Sequence, residues 1–172
     1  MPSKKYSPKL LSEKLKHIRM VVMDVDGVLT DGRIIIDARG IEYKSFDVHD
    51  GYGIARAREH GILFAIISGR TSKSVDHRAK RLKIADVYQS RMDKVAAYNE
   101  IKQKYKLNDN EVCFIGDDEF DLPLLKTVGI SFAPANAMDE VKKHVHVVLN
   151  KEGGRGAVRE VLDLILKTKK LI

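Results

Sequence analysis

The chain has 172 residues, 44% of them hydrophobic and 32% charged, with a net charge of +7. That balance excludes a disordered chain and gives enough sequence for one domain with a sizeable core. The longest unbroken apolar run, Ile62 to Ile67, is far too short to cross a bilayer, so no membrane partner is expected. The start, Met1-Pro2-Ser3-Lys4-Lys5-Tyr6, does not read as a secretory signal. Cys113 is the only cysteine. It lies inside the apolar run Val112 to Ile115, which fits a buried thiol and a reducing cytoplasm. The basic excess is spread over Lys4-Lys5, Lys14-Lys16, Lys80-Arg81-Lys83, Lys102-Lys104-Lys106, Lys142-Lys143 and Lys167-Lys169-Lys170. Most of it falls on polar helix faces, either merely solvated or providing a positive field for an anionic substrate. No aromatic residues interleave with it, Trp is absent and no reader motif is present, so nucleic acid is not an expected partner.

In chain order, Leu10 to Ile18 predicts a short amphipathic helix and Met20 to Val25 a first core strand. Arg33 to Asp37 and Glu42 to Val48 predict a hairpin around Ala38-Arg39-Gly40. Gly51 to His60 predicts a helix capped by Gly61, and Ile62 to Ile67 a strand covered on both faces. Thr71 to Leu82 predicts a helix with Thr71 or Ser72 as N-cap. Asp86 to Tyr88 is a short strand. Asp93 to Tyr105 is a helix with Val95, Ala96, Tyr98 and Ile101 facing inward. Glu111 to Ile115 is a strand, and Glu119 to Val128 a helix closed by Gly129. Ile130 to Phe132 and His146 to Leu149 are strands flanking a helix over Met138 to Lys143. Ala157 to Lys167 closes the chain as a helix. Such alternation predicts an α/β fold, a three-layer sheet with right-handed crossovers.

Four signals fall where strands of this fold open into loops. Asp24 and Asp26, then Gly27, end the first strand. Ser68-Gly69-Arg70 ends the most apolar strand, where a hydroxyl and backbone N–H groups suit a phosphate. Lys94 opens a helix, where its charge opposes the helix dipole. Gly116-Asp117-Asp118-Glu119-Phe120-Asp121 ends a further strand. Carboxylates gathered so densely need a cation, and all-oxygen ligation points to Mg²⁺. The set suits phosphoryl transfer. Asp24 would attack phosphorus, and Asp26 would protonate the leaving oxygen and then activate water. Ser68 and Lys94 would hold phosphate oxygens, Asp24 and Asp117 would share the metal, and Asp118 and Asp121 would orient those ligands from behind.

In this order the motifs resemble those of the haloacid dehalogenase-like hydrolases. Asp26 points to the phosphatases, since the dehalogenases lack it. The resemblance implies a doubly wound, Rossmann-like parallel sheet and adds the Asp26 backbone carbonyl to the metal ligands. Neither the interval from Asp24 to Ser68 nor that from Lys94 to Asp117 has room for a cap domain. Asp31-Gly32, Phe46 to Ile54, Ser68-Gly69-Arg70 and Gly153 to Glu160 are similar to the capless family acting on 3-deoxy-D-manno-octulosonate 8-phosphate in lipopolysaccharide synthesis. That likeness implies one domain over residues 1–172, with hairpin 33–48 for oligomer contact and a C-terminal helix and tail over 153–172. It implies a homotetramer in which hairpins form a central barrel and a neighbouring subunit covers the site. The substrate would be a small phosphorylated sugar acid, with Gly69, Arg70, Arg78 and Arg155 as binding candidates, because a guanidinium grips a carboxylate with two bonds. The related phosphatase for the nine-carbon keto-deoxy sugar acid tends to have Glu after that Gly, which makes Arg70 the discriminating position. His49 stands where Arg is common in the family, and Ser68 where Thr is frequent. Two readings of other classes stay open. One is a receiver-type domain, against which Asp26 argues because a signalling phosphoryl group must persist. The other is a non-catalytic tetramerisation domain, which the complete motif set disfavours.

Overall fold

The computed structural model describes residues 6–172; the Lys4-Lys5 pair and the rest of the first five residues lie outside them. Helix α1 (Pro8–His17) leads into β1 (Met20–Met23). A two-stranded antiparallel ribbon, β2 (Ile35–Ile36) and β3 (Glu42–Tyr43), precedes α2 (Val48–Glu59) and β4 (Leu63–Ile67). Then come α3 (Lys73–Leu82), β5 (Asp86–Tyr88), α4 (Lys94–Tyr105), β6 (Val112–Ile115), α5 (Leu122–Leu125), β7 (Ile130–Ala133), α6 (Asp139–His144), β8 (Val147–Val148) and α7 (Ala157–Thr168). No helix among the described residues is long and apolar enough to cross a membrane.

Six strands form a parallel sheet in the order β5-β4-β1-β6-β7-β8. Side chains alternate across a strand, so β1 feeds two cores. Val21 and Met23 pack with residues of α1, α2, α3 and α7. Met20 and Val22 pack with residues of α4, α5 and α6. The predicted three-layer sheet is therefore the observed one, and Cys113 is fully buried in it. From β1 the chain winds outward through β4 to β5, then restarts at β6 on the other side. The switch between β1 and β6 is where such sheets bind ligands, at the strands' carboxyl ends. The register pairs Met23 with Ile66 and Ile115, so the loops beginning at Asp24 and Gly116 leave the sheet side by side.

Several boundaries differ from the sequence expectation, each for a local reason. β1 stops at Met23, because the Val25 carbonyl accepts the N–H groups of Val28, Leu29 and Thr30 and so closes a turn. Val48 starts α2 rather than ending a strand, because the Asp47 carboxylate accepts the His49 and Asp50 N–H groups as an N-cap. Ser72 holds the N-cap position of α3 without a side-chain cap bond, and the Gln89 side chain takes the Ser72 N–H at 2.6 Å. On α4, Ala97 rather than Ala96 faces the core. The expected helix over Glu119 to Val128 is a 3₁₀ turn (Glu119–Asp121) and the single turn α5, since Asp121 is committed to the loop before it.

Candidate active site

The β1 carboxyl end carries Asp24, whose amide N–H donates to the Ile115 carbonyl at 3.0 Å. Its carboxylate is buried, 3.0 Å from Lys94 Nζ. Lys94 itself is buried although it opens a helix, and its ammonium also reaches Asp121 Oδ1 at 2.6 Å. The dipole argument against a lysine at this place is thus answered by two carboxylates. Burial works against the Lys94 charge, but Asp24 and Asp121 outweigh it and raise its pKa, so the ammonium is cationic at neutral pH.

Asp121 is fully buried and organises the loop after β6. Its Oδ2 accepts the N–H groups of Asp117 (2.9 Å) and Asp118 (3.3 Å), while the Asp118 carboxylate accepts the Glu119 N–H at 2.6 Å. Asp117 is thereby turned toward Asp24. One carboxylate oxygen each of Asp24, Asp117 and Asp121 lies within a 4.8 Å cluster. Burial, with the charges of Asp24 and Asp121 beside it, pushes the Asp117 carboxyl up to about 8. Burial likewise lifts Asp24 above the usual carboxylate range, Lys94 partly opposing it.

Glycines let these loops meet. Gly27 has φ +83°, and a Cβ there would lie 1.9 Å from Asp117 Oδ2. The Gly153-Gly154 turn packs against the back of the Asp24 loop. Gly154 N–H donates to the Val28 carbonyl at 2.9 Å, and a Cβ on Gly153 would overlap the Gly27 carbonyl at 1.7 Å. The C-terminal glycine motif thus buttresses the acid-bearing loop of its own chain.

Ser68, buried at the end of β4, accepts the Arg70 N–H on Oγ at 3.3 Å. The loop before α4 crosses it, with Arg91 N–H donating to the Ser68 carbonyl at 3.0 Å. The resulting cleft, about 340 Å³, brings together Asp24, Asp26, Ser68, Gly69, Arg70, Lys94, Asp117, Asp118 and Asp121. Met92 and Phe120 line it with largely exposed side chains.

Two predicted binding residues lie elsewhere. Arg78 donates to the Asp47 carbonyl at 3.0 Å and covers the Phe46 ring, and Gly51 leaves it room. It fastens the segment entering α2 and does not line the cleft. Arg155 faces a separate groove with His49 and Lys167, paired to Glu152 at 3.6 Å. Two hairpin residues escaped the sequence reading. Lys44 Nζ lies 2.5 Å from Asp26 Oδ1 and 3.1 Å from Glu42 Oε1, and Glu42 Oε2 lies 2.5 Å from Arg70. A lysine and a glutamate interrupting a hairpin rich in isoleucine and aromatic residues were the available signal.

The carboxylates fit a divalent cation. Asp117 Oδ1 is buried with no hydrogen-bond partner, a costly state that a cation at this place would relieve.

Known proteins resemble this chain closely. A haloacid dehalogenase-like hydrolase family model matches residues 81–162. The 3-deoxy-D-manno-octulosonate 8-phosphate phosphatase KdsC of Yersinia pestis is 43% identical over 154 residues, spanning 90% of this chain and 82% of that protein. The Moraxella catarrhalis phosphatase of the same name, solved with magnesium, phosphate and KDO, superposes with a TM-score of 0.93 at 38% identity, covering 95% of this chain and 94% of that one. A cobalt-bound Haemophilus influenzae deoxy-D-mannose-octulosonate 8-phosphate phosphatase gives a TM-score of 0.88 at 39% identity, covering 91% and 92% of the two chains. The chain therefore belongs to the haloacid dehalogenase-like hydrolases, in the family of the 3-deoxy-D-manno-octulosonate 8-phosphate phosphatases.

Proposed function

We propose that the protein is a Mg²⁺-dependent phosphatase that converts 3-deoxy-D-manno-octulosonate 8-phosphate to the free sugar acid and phosphate, for lipopolysaccharide precursor synthesis in the cytoplasm. The observation that carries the reading is the buried Asp24–Lys94–Asp121 cluster with the unpartnered Asp117 oxygen beside it. Asp24 attacks phosphorus while the bond to the sugar oxygen breaks, leaving an aspartyl-phosphate on Asp24. Asp26 gives its proton to the departing sugar oxygen. It then takes a proton from the water that attacks phosphorus and frees Asp24. Lys94, the Ser68 hydroxyl and the Gly69 backbone N–H hold phosphate oxygens as charge redistributes. Asp24, Asp117 and the Asp26 carbonyl would hold Mg²⁺, with Asp118 and Asp121 behind them. The carbonyl accepts no hydrogen bond among the described residues. Bound there, Mg²⁺ supplies positive charge that offsets repulsion between the phosphate and the carboxylates.

Arg70 is the residue for the sugar-acid end. It lines the cleft, and its Glu42 contact leaves further guanidinium donors for a substrate carboxylate. Assembly as a homotetramer through the hairpin is part of the same reading. Ile34, Ile35, Ile36, Ile41 and Tyr43 are all exposed on one short ribbon, a patch that soluble monomers rarely carry. An adjacent subunit could bring Arg155 and its C-terminal segment to the open cleft.

A side-by-side kcat/KM comparison with Mg²⁺ tests the substrate. The eight-carbon sugar-acid phosphate is expected to exceed the nine-carbon one and p-nitrophenyl phosphate. Arg70→Glu is expected to lower the first value by about tenfold or more, as loss of a charged bidentate contact does. Equal values for all three esters, or equal losses on all, would contradict it.

A further inference from the structure

Two members of the charged chain running out of the cleft into the hairpin, Lys44 and Glu42, have no part in the reaction as described so far. Lys44 directly follows β3, and its side chain is only 3% exposed. Burying an ammonium is costly unless it is paired. Its partners are Asp26 Oδ1 at 2.5 Å and Glu42 Oε1 at 3.1 Å. Glu42 is held in turn by Arg70 at 2.5 Å. The order Asp26, Lys44, Glu42, Arg70 alternates acidic and basic side chains and links the loop after β1, the hairpin and the loop after β4. Lys44 does not line the cleft, and both its neighbours are carboxylates of this chain, so it is not placed to hold substrate. Asp26, by contrast, lines the cleft and sits within the turn that the Val25 carbonyl closes. Its carboxyl side chain has Lys44 as its one ion-pair partner among the described residues.

We infer that Lys44 is a positioning residue for the reaction, fixing the Asp26 carboxyl so that its free oxygen faces the departing oxygen of the substrate, with Glu42 holding Lys44 in place. This inference rests on the proposed function. In the step concerned, the bond from phosphorus to the ester oxygen breaks as Asp24 bonds to phosphorus, and the proton on Asp26 passes to that ester oxygen. A carboxyl group left to rotate would meet the departing oxygen less often, and general acid catalysis depends on that geometry. The effect is therefore largest where the leaving group most needs a proton and smallest where it departs easily as an anion.

The test measures kcat/KM, which reports phosphoryl transfer to Asp24 and not the later hydrolysis. The substrates are 3-deoxy-D-manno-octulosonate 8-phosphate, phenyl phosphate and p-nitrophenyl phosphate, in wild type, Lys44→Met, Asp26→Asn and the double variant with Mg²⁺. Lys44→Met is expected to lose about 10- to 100-fold on the sugar-acid phosphate, a part of the range general acid catalysis supplies. The loss should be smaller on phenyl phosphate and within about threefold on p-nitrophenyl phosphate. In the Asp26→Asn background the same substitution should cost less than about twofold, since residues acting as one unit are not additive. Lys44→Arg should recover part of the activity. Equal losses across the three esters, or an undiminished loss in the Asp26→Asn background, would overturn the inference. Wild-type failure on the sugar acid alone would count against the proposed substrate, while the comparison of the two aryl esters would still decide the role of Lys44. Glu42→Gln gives a second, milder probe should Lys44→Met fold poorly, with the same ordering of losses expected and a flat profile contradicting it.

Discussion

At the scale of single residues, the site is a problem of charge crowding solved by one lysine and one fully buried aspartate. Asp121 spends both oxygens, one on Lys94 and the other on the Asp117 and Asp118 N–H groups. Its role is to aim the groups that would touch metal and phosphate. Asp121→Asn keeps the shape and removes the charge. It is expected to raise the Mg²⁺ concentration needed for half-maximal activity by about 10- to 100-fold, the usual cost of losing a partner behind a metal ligand. An unchanged Mg²⁺ titration would remove Asp121 from that role. The acids, Ser68 and Lys94 were legible in the sequence because each sits at a strand end or helix start, where local pattern fixes position. Lys44 was not, because its contact with Asp26 depends on how the hairpin folds back over the β1 loop. The surroundings of Arg78 were not legible either, because a helix surface position does not reveal that its guanidinium turns toward the Asp47 carbonyl.

At the scale of elements, the parallel strands were legible from their unbroken apolar runs, while short helices were not. The segment after β6 reads as ten helical residues but forms a 3₁₀ turn and one α turn, because the Asp118 and Asp121 side chains compete for its backbone N–H groups. The hairpin is the element whose surroundings matter most. It is a ribbon of two-residue strands, too small to be stable alone, yet it brings Lys44 against Asp26 and turns an isoleucine-rich face outward. If that face is the oligomer contact, Ile35→Glu, which places a charge on a half-exposed residue, should dissociate the assembly. Sedimentation of wild type is expected to give about four times the 19.4 kDa chain mass, and of the variant a smaller species. A wild-type monomer would contradict the tetramer.

At the scale of the whole molecule, three carboxyl groups are held above their unfolded values. Asp117 is raised to about 8 by burial and neighbouring acids, Asp24 is raised mainly by burial, and Asp50 is raised to about 6, again mainly by burial. Asp50 reaches across the domain from α2, taking the Arg159 N–H at 2.7 Å and so capping α7. Because their folded pKa values exceed the unfolded ones, the folded state binds more protons between about pH 4 and 8. Stability of the metal-free protein therefore falls as pH rises through that window. Lys94 is charged throughout it and adds no slope. A cation binding the ionised carboxylates gains affinity as the pH rises, so Mg²⁺ should raise Tm more at pH 8 than at pH 5.5. Equal Mg²⁺ shifts at both values would show that these acids do not bind the ion.

The same arrangement makes Asp24 the group on which everything converges, with Lys94 beside it, Asp117 across from it and the Gly153-Gly154 turn behind its loop. The most direct test is phosphate release from 3-deoxy-D-manno-octulosonate 8-phosphate by wild type and Asp24→Asn, each with Mg²⁺ and with a chelator. Release is expected only from wild type with Mg²⁺, the variant remaining folded and at least about a thousandfold slower, as loss of a nucleophile requires. Turnover by Asp24→Asn near the wild-type rate, or by wild type undiminished in chelator, would contradict the account.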